Sequence, residues 1–130
     1  MSKVFIGNIK KAAKDNEFFR KVLFTGANSQ LVLMSLEPDE EIGQEVHSVD
    51  QMIYVVDGEG DVALDGETEE FKKGDAVFVP AGVKHNVINT DDEAMKLFTL
   101  YAPPQHADGT IHRTKADAQA AEKTPAPTAV

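Results

Sequence analysis

Residues 74–89, GDAVFVPAGVKHNVIN, leave few folds open to the chain. Gly74-Asp75 and Pro80-Ala81-Gly82 are turn signals separated by only one short apolar run, and His85 opens another apolar segment that ends at Asn89. Turns this closely spaced leave room for strands and none for a helix of ordinary length. The same rhythm runs through most of the sequence. Strand patterns cover residues 18–24, 30–36, 42–47, 51–56, 61–64, 76–79, 83–89 and 95–101, with Gly26-Ala27-Asn28, Asp57-Gly58, Asp65-Gly66 and Gly74-Asp75 as turns. About eight short strands with regular turns predict an all-β sandwich or barrel. Helix is expected only over residues 8–15, capped by Asn8, and over 115–122, capped by Thr114.

Length and composition narrow the function. At 130 residues the chain suits one domain with a closed core. Its net charge of −9 argues against nucleic-acid binding and against anionic membranes, since both require clustered Lys and Arg. No segment approaches the ~20 apolar residues of a membrane span, and the N-terminal apolar run is too short for a secretory signal. With no cysteine there are no disulfides, thiolate ligands or cysteine nucleophile. These features together predict a cytoplasmic protein.

Two motifs carry a specific resemblance. Gly74, Pro80, Gly82, His85 and Asn89 form one; residues 43–60, GQEVHSVDQMIYVVDGEG, form the other. Both resemble the paired motifs of the cupin superfamily, in its small single-domain bacterial form. The second motif matches at every signature position. In the first, the family usually supplies His-x-His, then Glu four residues later, then a glycine closing the strand. Here Glu45 stands at the first His, His47 at the second and Gln51 at the Glu, with Gly58 as the glycine. The resemblance implies a double-stranded β-helix, or jelly roll, with a metal held by Glu45, His47, Gln51 and His85.

The residues themselves bear on that implication. Strand alternation gives Glu45 and His47 one face, and Gln51, Ile53 and Val55 another shared face; His85 and Val87 do the same on a third strand. Convergence of the four polar groups is what the resemblance adds. Two imidazoles, a carboxylate and an amide oxygen suit Zn, Mn, Fe, Ni or Co. Relative to the usual family pattern, Glu45 and Gln51 exchange a charge and keep one carboxylate in the set. Gln51 also fits a role in orienting water or substrate. Asp50 is a competing carboxylate that alternates away in a regular strand. Gly74, Pro80, Gly82 and Asn89 read as architectural.

Two classes of function follow: a metalloenzyme acting on a small organic molecule, of isomerase, lyase or dioxygenase type, or a metal-free or weakly metallated module that binds or senses a small molecule. The chain divides into an N-terminal arm (1–16), the barrel (17–102) and a tail (103–130) whose Pro-rich end is expected to be disordered. His106 and His112, in the tail, are expected to face solvent. Phe18, Phe19, Phe24, Phe71, Phe78 and Phe98 read as core, and Tyr54 and Tyr101 as outward-facing. Cupins of this size commonly pair, which implies a homodimer in which residues 4–9 cross to the partner and cover an edge strand.

Overall fold

Two antiparallel sheets stack face to face in the computed structural model, which describes residues 4–123. The elements run α1 (Ile9–Asp15), β1 (Arg20–Thr25), β2 (Gln30–Leu36), β3 (Asp50–Asp57), β4 (Glu59–Leu64), β5 (Glu67–Lys72), β6 (Ala76–Val79), β7 (His85–Asn89), β8 (Met95–Ala102), β9 (Ile111–His112) and α2 (Lys115–Lys123). One sheet has the order β6-β3-β8-β2-β1-β9 and the other β5-β4-β7. The expected all-β jelly roll is the fold observed. Most strands fall where the turn signals place them. β5 is an addition: in ETEEFK only Phe71 is buried, so no apolar alternation marks it.

Residues 42–47, expected as a strand, instead run beside β7 through isolated bridges, Glu41 with Ile88 and Glu45 with His85. Gly43 is the cause. Its φ of +110° turns the backbone out of the extended region, and its N–H donates to the Asn86 side chain at 2.9 Å in place of a ladder bond.

The core lies between the sheets and follows strand parity. Val32, Met34 and Leu36 of β2, Ile53 and Val55 of β3, and Met95 and Leu97 of β8 face Val62, Phe71 and Val87 of the smaller sheet. Within the smaller sheet β4 and β7 run so close at Gly60 that a Cβ there would collide with the Ile88 carbonyl oxygen, so only glycine fits. Asn89 closes the far end. Its amide donates to the carbonyls of Leu36, Glu37 and Glu93, and its Oδ1 accepts from the Asp91 N–H, which joins three chain segments as the architectural reading requires.

α1 covers the outer face of the larger sheet. Asn8 caps it by accepting from the Lys11 N–H, and its buried Ala13 packs on Leu33 and Val56, with Tyr54 and Phe98 stacked at 5.0 Å alongside. Several aromatic expectations are corrected here: Phe18 and Phe24, expected in the core, are half-buried and belong to neither core cluster. Phe78 is 62% exposed because it alternates with the inward-facing Val77 and Val79. Tyr101 points inward, since it shares parity with Met95, Leu97 and Thr99 on β8.

The segment after Pro103 folds back onto the barrel. β9 pairs with β1, Phe19 N–H donates to Arg113 O, and α2, capped by Thr114, sets Ala118 into the main core. Gln30 holds the return path: its Nε2 donates to His106 O at 2.7 Å and to Thr25, and its Oε1 accepts from the N–H groups of Gln105 and His106. His106 is therefore drawn against the edge of Tyr101, with ring centroids 5.2 Å apart, and its Nε2 is buried. This corrects the expectation of a solvent-facing His106. The Pro-rich end, residues 124–130, lies outside the described residues.

Burial, followed by the nearby Arg20, lowers the His106 pKa from 6.5 to about 3. Between those values the unfolded chain binds a proton that the folded one does not. The stability contributed by a neutral His106 is thus complete above the unfolded value and is lost as pH falls toward about 3. Urea unfolding followed from neutral to acid pH should show this loss, and His106→Phe should flatten it.

Candidate metal centre

Parity and register bring the four candidate residues to one end of the barrel. On β7, His85 faces inward together with Val87 and Asn89 and is 4% exposed. On β3, Gln51 faces inward with Ile53 and Val55 and is 2% exposed. Glu45 and His47 reach the same region because backbone bonds pin their segment. Glu45 and His85 exchange N–H···O bonds of 2.8 and 2.9 Å, and Gly82 N–H donates to His47 O at 2.8 Å. The two-residue spacing then turns both side chains to one side.

The donor atoms of Glu45, His47 and His85 all lie within 4.8 Å of one another. His47 Nε2 is 3.2 Å from Glu45 Oε1, and the two imidazole rings are 5.3 Å apart. Gln51 joins through its Oε1, 3.0 Å from His85 Nε2, while its Nε2 donates to the Thr99 hydroxyl at 3.0 Å. All four residues assigned from the sequence thus converge. Asp50 does not: it is exposed and accepts from the Ala81 N–H, bracing the Pro80 turn from outside.

The donor set and its supports fit a divalent transition ion. His85 Nδ1 lies 2.9 Å from the Val83 carbonyl, which can only accept, so Nδ1 carries a proton and Nε2 of the neutral ring presents a lone pair. That lone pair faces the Gln51 carbonyl oxygen. Two acceptors 3.0 Å apart repel unless a cation or a proton lies between them. Two nitrogens, a carboxylate and an amide oxygen form a borderline-hard set of the kind that holds Zn, Mn, Fe or Ni.

Several groups around the cluster are not assigned to it by the sequence reading. Tyr101 sits edge-on to His47 at 5.8 Å, and burial raises its phenol above the usual value of 10, so the group stays protonated. Thr99 is buried and orients the Gln51 amide. Arg20, 3% exposed, points inward from β1 and donates from Nη1 to His112 Nδ1 at 3.2 Å. Parity with Val22 in RKVLF was the available sign of its inward direction. A cavity of about 200 Å³ opens beside the cluster, and Arg20, Glu45, Lys115 and Glu122 are among the residues that line it.

Comparisons with known proteins agree with this geometry. The family model "Cupin domain" matches residues 32–101. The chain is 46% identical over 128 residues to the uncharacterized protein YrkC of Bacillus subtilis, covering 92% of this chain and 68% of that one. It is 35% identical over 116 residues to the uncharacterized protein L612 of Acanthamoeba polyphaga mimivirus, covering 85% and 72%. The crystal structure of BH2720 from Bacillus halodurans superposes with a TM-score of 0.89 at 42% identity, covering 91% of this chain and 95% of that one. On the family match and these relatives, the chain belongs to the cupin family.

Proposed function

We propose that this protein is a metalloenzyme acting on a small organic molecule, with a divalent transition metal held by Glu45, His47, Gln51 and His85. The observation that carries the reading is the convergence of one carboxylate and two imidazoles within 4.8 Å, with the Gln51 oxygen turned toward His85. When bound, such an ion supplies Lewis-acid polarisation of a substrate oxygen or, for Fe, Mn or Ni, redox chemistry with dioxygen. The chain's own groups set the rest. Val83 O fixes the His85 tautomer, and Thr99 holds the Gln51 amide in its orientation. Tyr101 is protonated, so it serves as a hydrogen-bond donor and not as a base. His106 is neutral at ordinary pH and keeps one ring nitrogen unpartnered beside that phenol.

A second reading rests on Gln51 itself. If its amide is rotated by half a turn, Nε2 donates to His85 and Oε1 accepts the Thr99 hydroxyl, so every group is satisfied without a metal. In that state the barrel is a small-molecule binding module.

Metal analysis of protein purified without tag or chelator separates the two. Near-stoichiometric Zn, Mn, Fe or Ni that disappears in His47→Ala/His85→Ala, with the fold retained by circular dichroism, supports the enzyme. A wild-type protein that also refuses added metal leaves the binding module. Gln51→Glu should tighten Zn(II) about tenfold, or ~1.4 kcal/mol, by adding a second carboxylate, while lowering the stability of the metal-free protein. Competition with a chromophoric chelator and urea unfolding measure the two effects.

The functional unit in this proposal is a homodimer. Phe78, Met52, Leu100, Leu31 and Phe24 lie in register across five strands on the outer face of the larger sheet, a row that continues to Phe5. Sedimentation equilibrium should give twice the chain mass, and Phe78→Glu/Leu100→Glu should give the monomer. A monomeric wild type at high micromolar concentration would refute the pairing.

A further inference from the structure

Among the described residues, two buried side-chain nitrogens lack a hydrogen-bond partner, Arg20 Nε and His106 Nε2, and both belong to the same region of the barrel mouth. Arg20 is the more demanding case. Its guanidinium is always charged. It is 97% removed from solvent, and no carboxylate lies within ion-pairing distance among the described residues. Its contacts are the Phe19 ring, 5.3 Å from the guanidinium carbon, and His112 Nδ1, which must be unprotonated to accept the bond. Neither neutralises the charge. A buried cation without a counter-ion is costly, and such groups are ordinarily paired.

The cavity of about 200 Å³ supplies a place for the missing counter-ion. Arg20 lines it together with Lys115, and Glu45 of the metal cluster forms part of the same wall. We propose that Arg20 is the recognition site for the carboxylate of a small organic acid, with Lys115 as a second cation and the rest of the molecule lying against Glu45. This deepens the metalloenzyme reading by naming its substrate class, and it rests on that reading only for the chemistry at Glu45. Size and charge favour a carboxylate over a phosphate. The cavity is below the ~300 Å³ at which drug-sized ligand pockets begin. Glu45 and Glu122 on its walls, in a chain of net charge −9, disfavour a phosphate dianion, whose charge is concentrated on one centre, more than a dicarboxylate, whose two charges separate toward Arg20 and Lys115. The planar guanidinium matches a carboxylate with two parallel N–H donors.

The test uses malonate, acetate and inorganic phosphate, with chloride as the ionic-strength control, on the protein as purified and after chelator treatment. Malonate and acetate should raise the melting temperature of the wild type in a concentration-dependent way, as a ligand of the folded state must. Isothermal titration should show carboxylate binding at least about tenfold weaker in Arg20→Met and several-fold weaker in Lys115→Met. Arg20→Met should fold at least as stably as wild type, because an unpaired buried charge has been replaced by an apolar chain of similar length. Arg20→Lys gives a second, charge-retaining variant, and it should bind malonate between the two. Metal content should be unchanged in all three variants. Equal malonate binding by Arg20→Met and wild type, no response of the wild type to either acid, or phosphate binding tighter than both acids would overturn the inference. An Arg20-dependent response in protein that takes up no metal would retain the carboxylate site and discard the metalloenzyme, so the two failures are separable.

Discussion

The pairing of β3 with β8 is the constraint on which the interior depends. Its register sets Gln51 opposite Tyr101, Ile53 opposite Thr99 and Val55 opposite Leu97, and β2 extends the same rows with Gln30, Val32 and Met34. One end of the inward face is therefore polar and the other apolar. A slip of β3 by one residue would send Gln51, Ile53 and Val55 to the outer face and bring Met52 and Tyr54 inward. That would dismantle the candidate metal cluster and the core together. Position of the site and stability of the fold are two readings of one hydrogen-bonded ladder.

What the sequence revealed followed from local signals. Gly74-Asp75 and Pro80-Ala81-Gly82 fix turns with residue-specific backbone demands, and His85, Val87 and Asn89 alternate cleanly, so β6 and β7 were placed from their own residues. The misreadings have equally definite causes. Tyr101 reads as outward-facing only if its unbroken parity with Met95 and Leu97 is overlooked. β5 carries one buried side chain in six and so leaves no periodic trace. The position of His106 depends on Gln30, 76 residues away, through bonds that no local pattern encodes. Gln30 itself reads as an ordinary strand-initial polar residue until the tail is seen to satisfy it.

The treatment of buried polar groups separates structural from functional positions. Gln30, Asn89 and Thr99 are almost wholly enclosed, and each is satisfied by partners within the chain. Folding has evidently matched such groups where they serve architecture. Arg20 Nε and His106 Nε2 are enclosed in the same interior and unmatched. Since a missing partner on a buried polar group costs about 1–3 kcal/mol, the condition of Arg20, which also lines the cavity, is what a ligand completing it would relieve.

The exchange of Glu45 and Gln51 relative to the usual family pattern is explained by the same economy. Position 51 is 2% exposed and bonded to Thr99, whereas the Glu45 side chain is 22% exposed at the mouth. A carboxylate at 51 would be enclosed with no cation to balance it whenever the metal is absent. The same charge at 45 is partly hydrated and lies 3.2 Å from His47. Moving the negative charge outward keeps one carboxylate among the four donors and lets the fold form without the ion. The consequence is a cluster that is pre-organised and stable without an ion, at the cost of the stronger attraction that an enclosed carboxylate would exert on any metal it could hold.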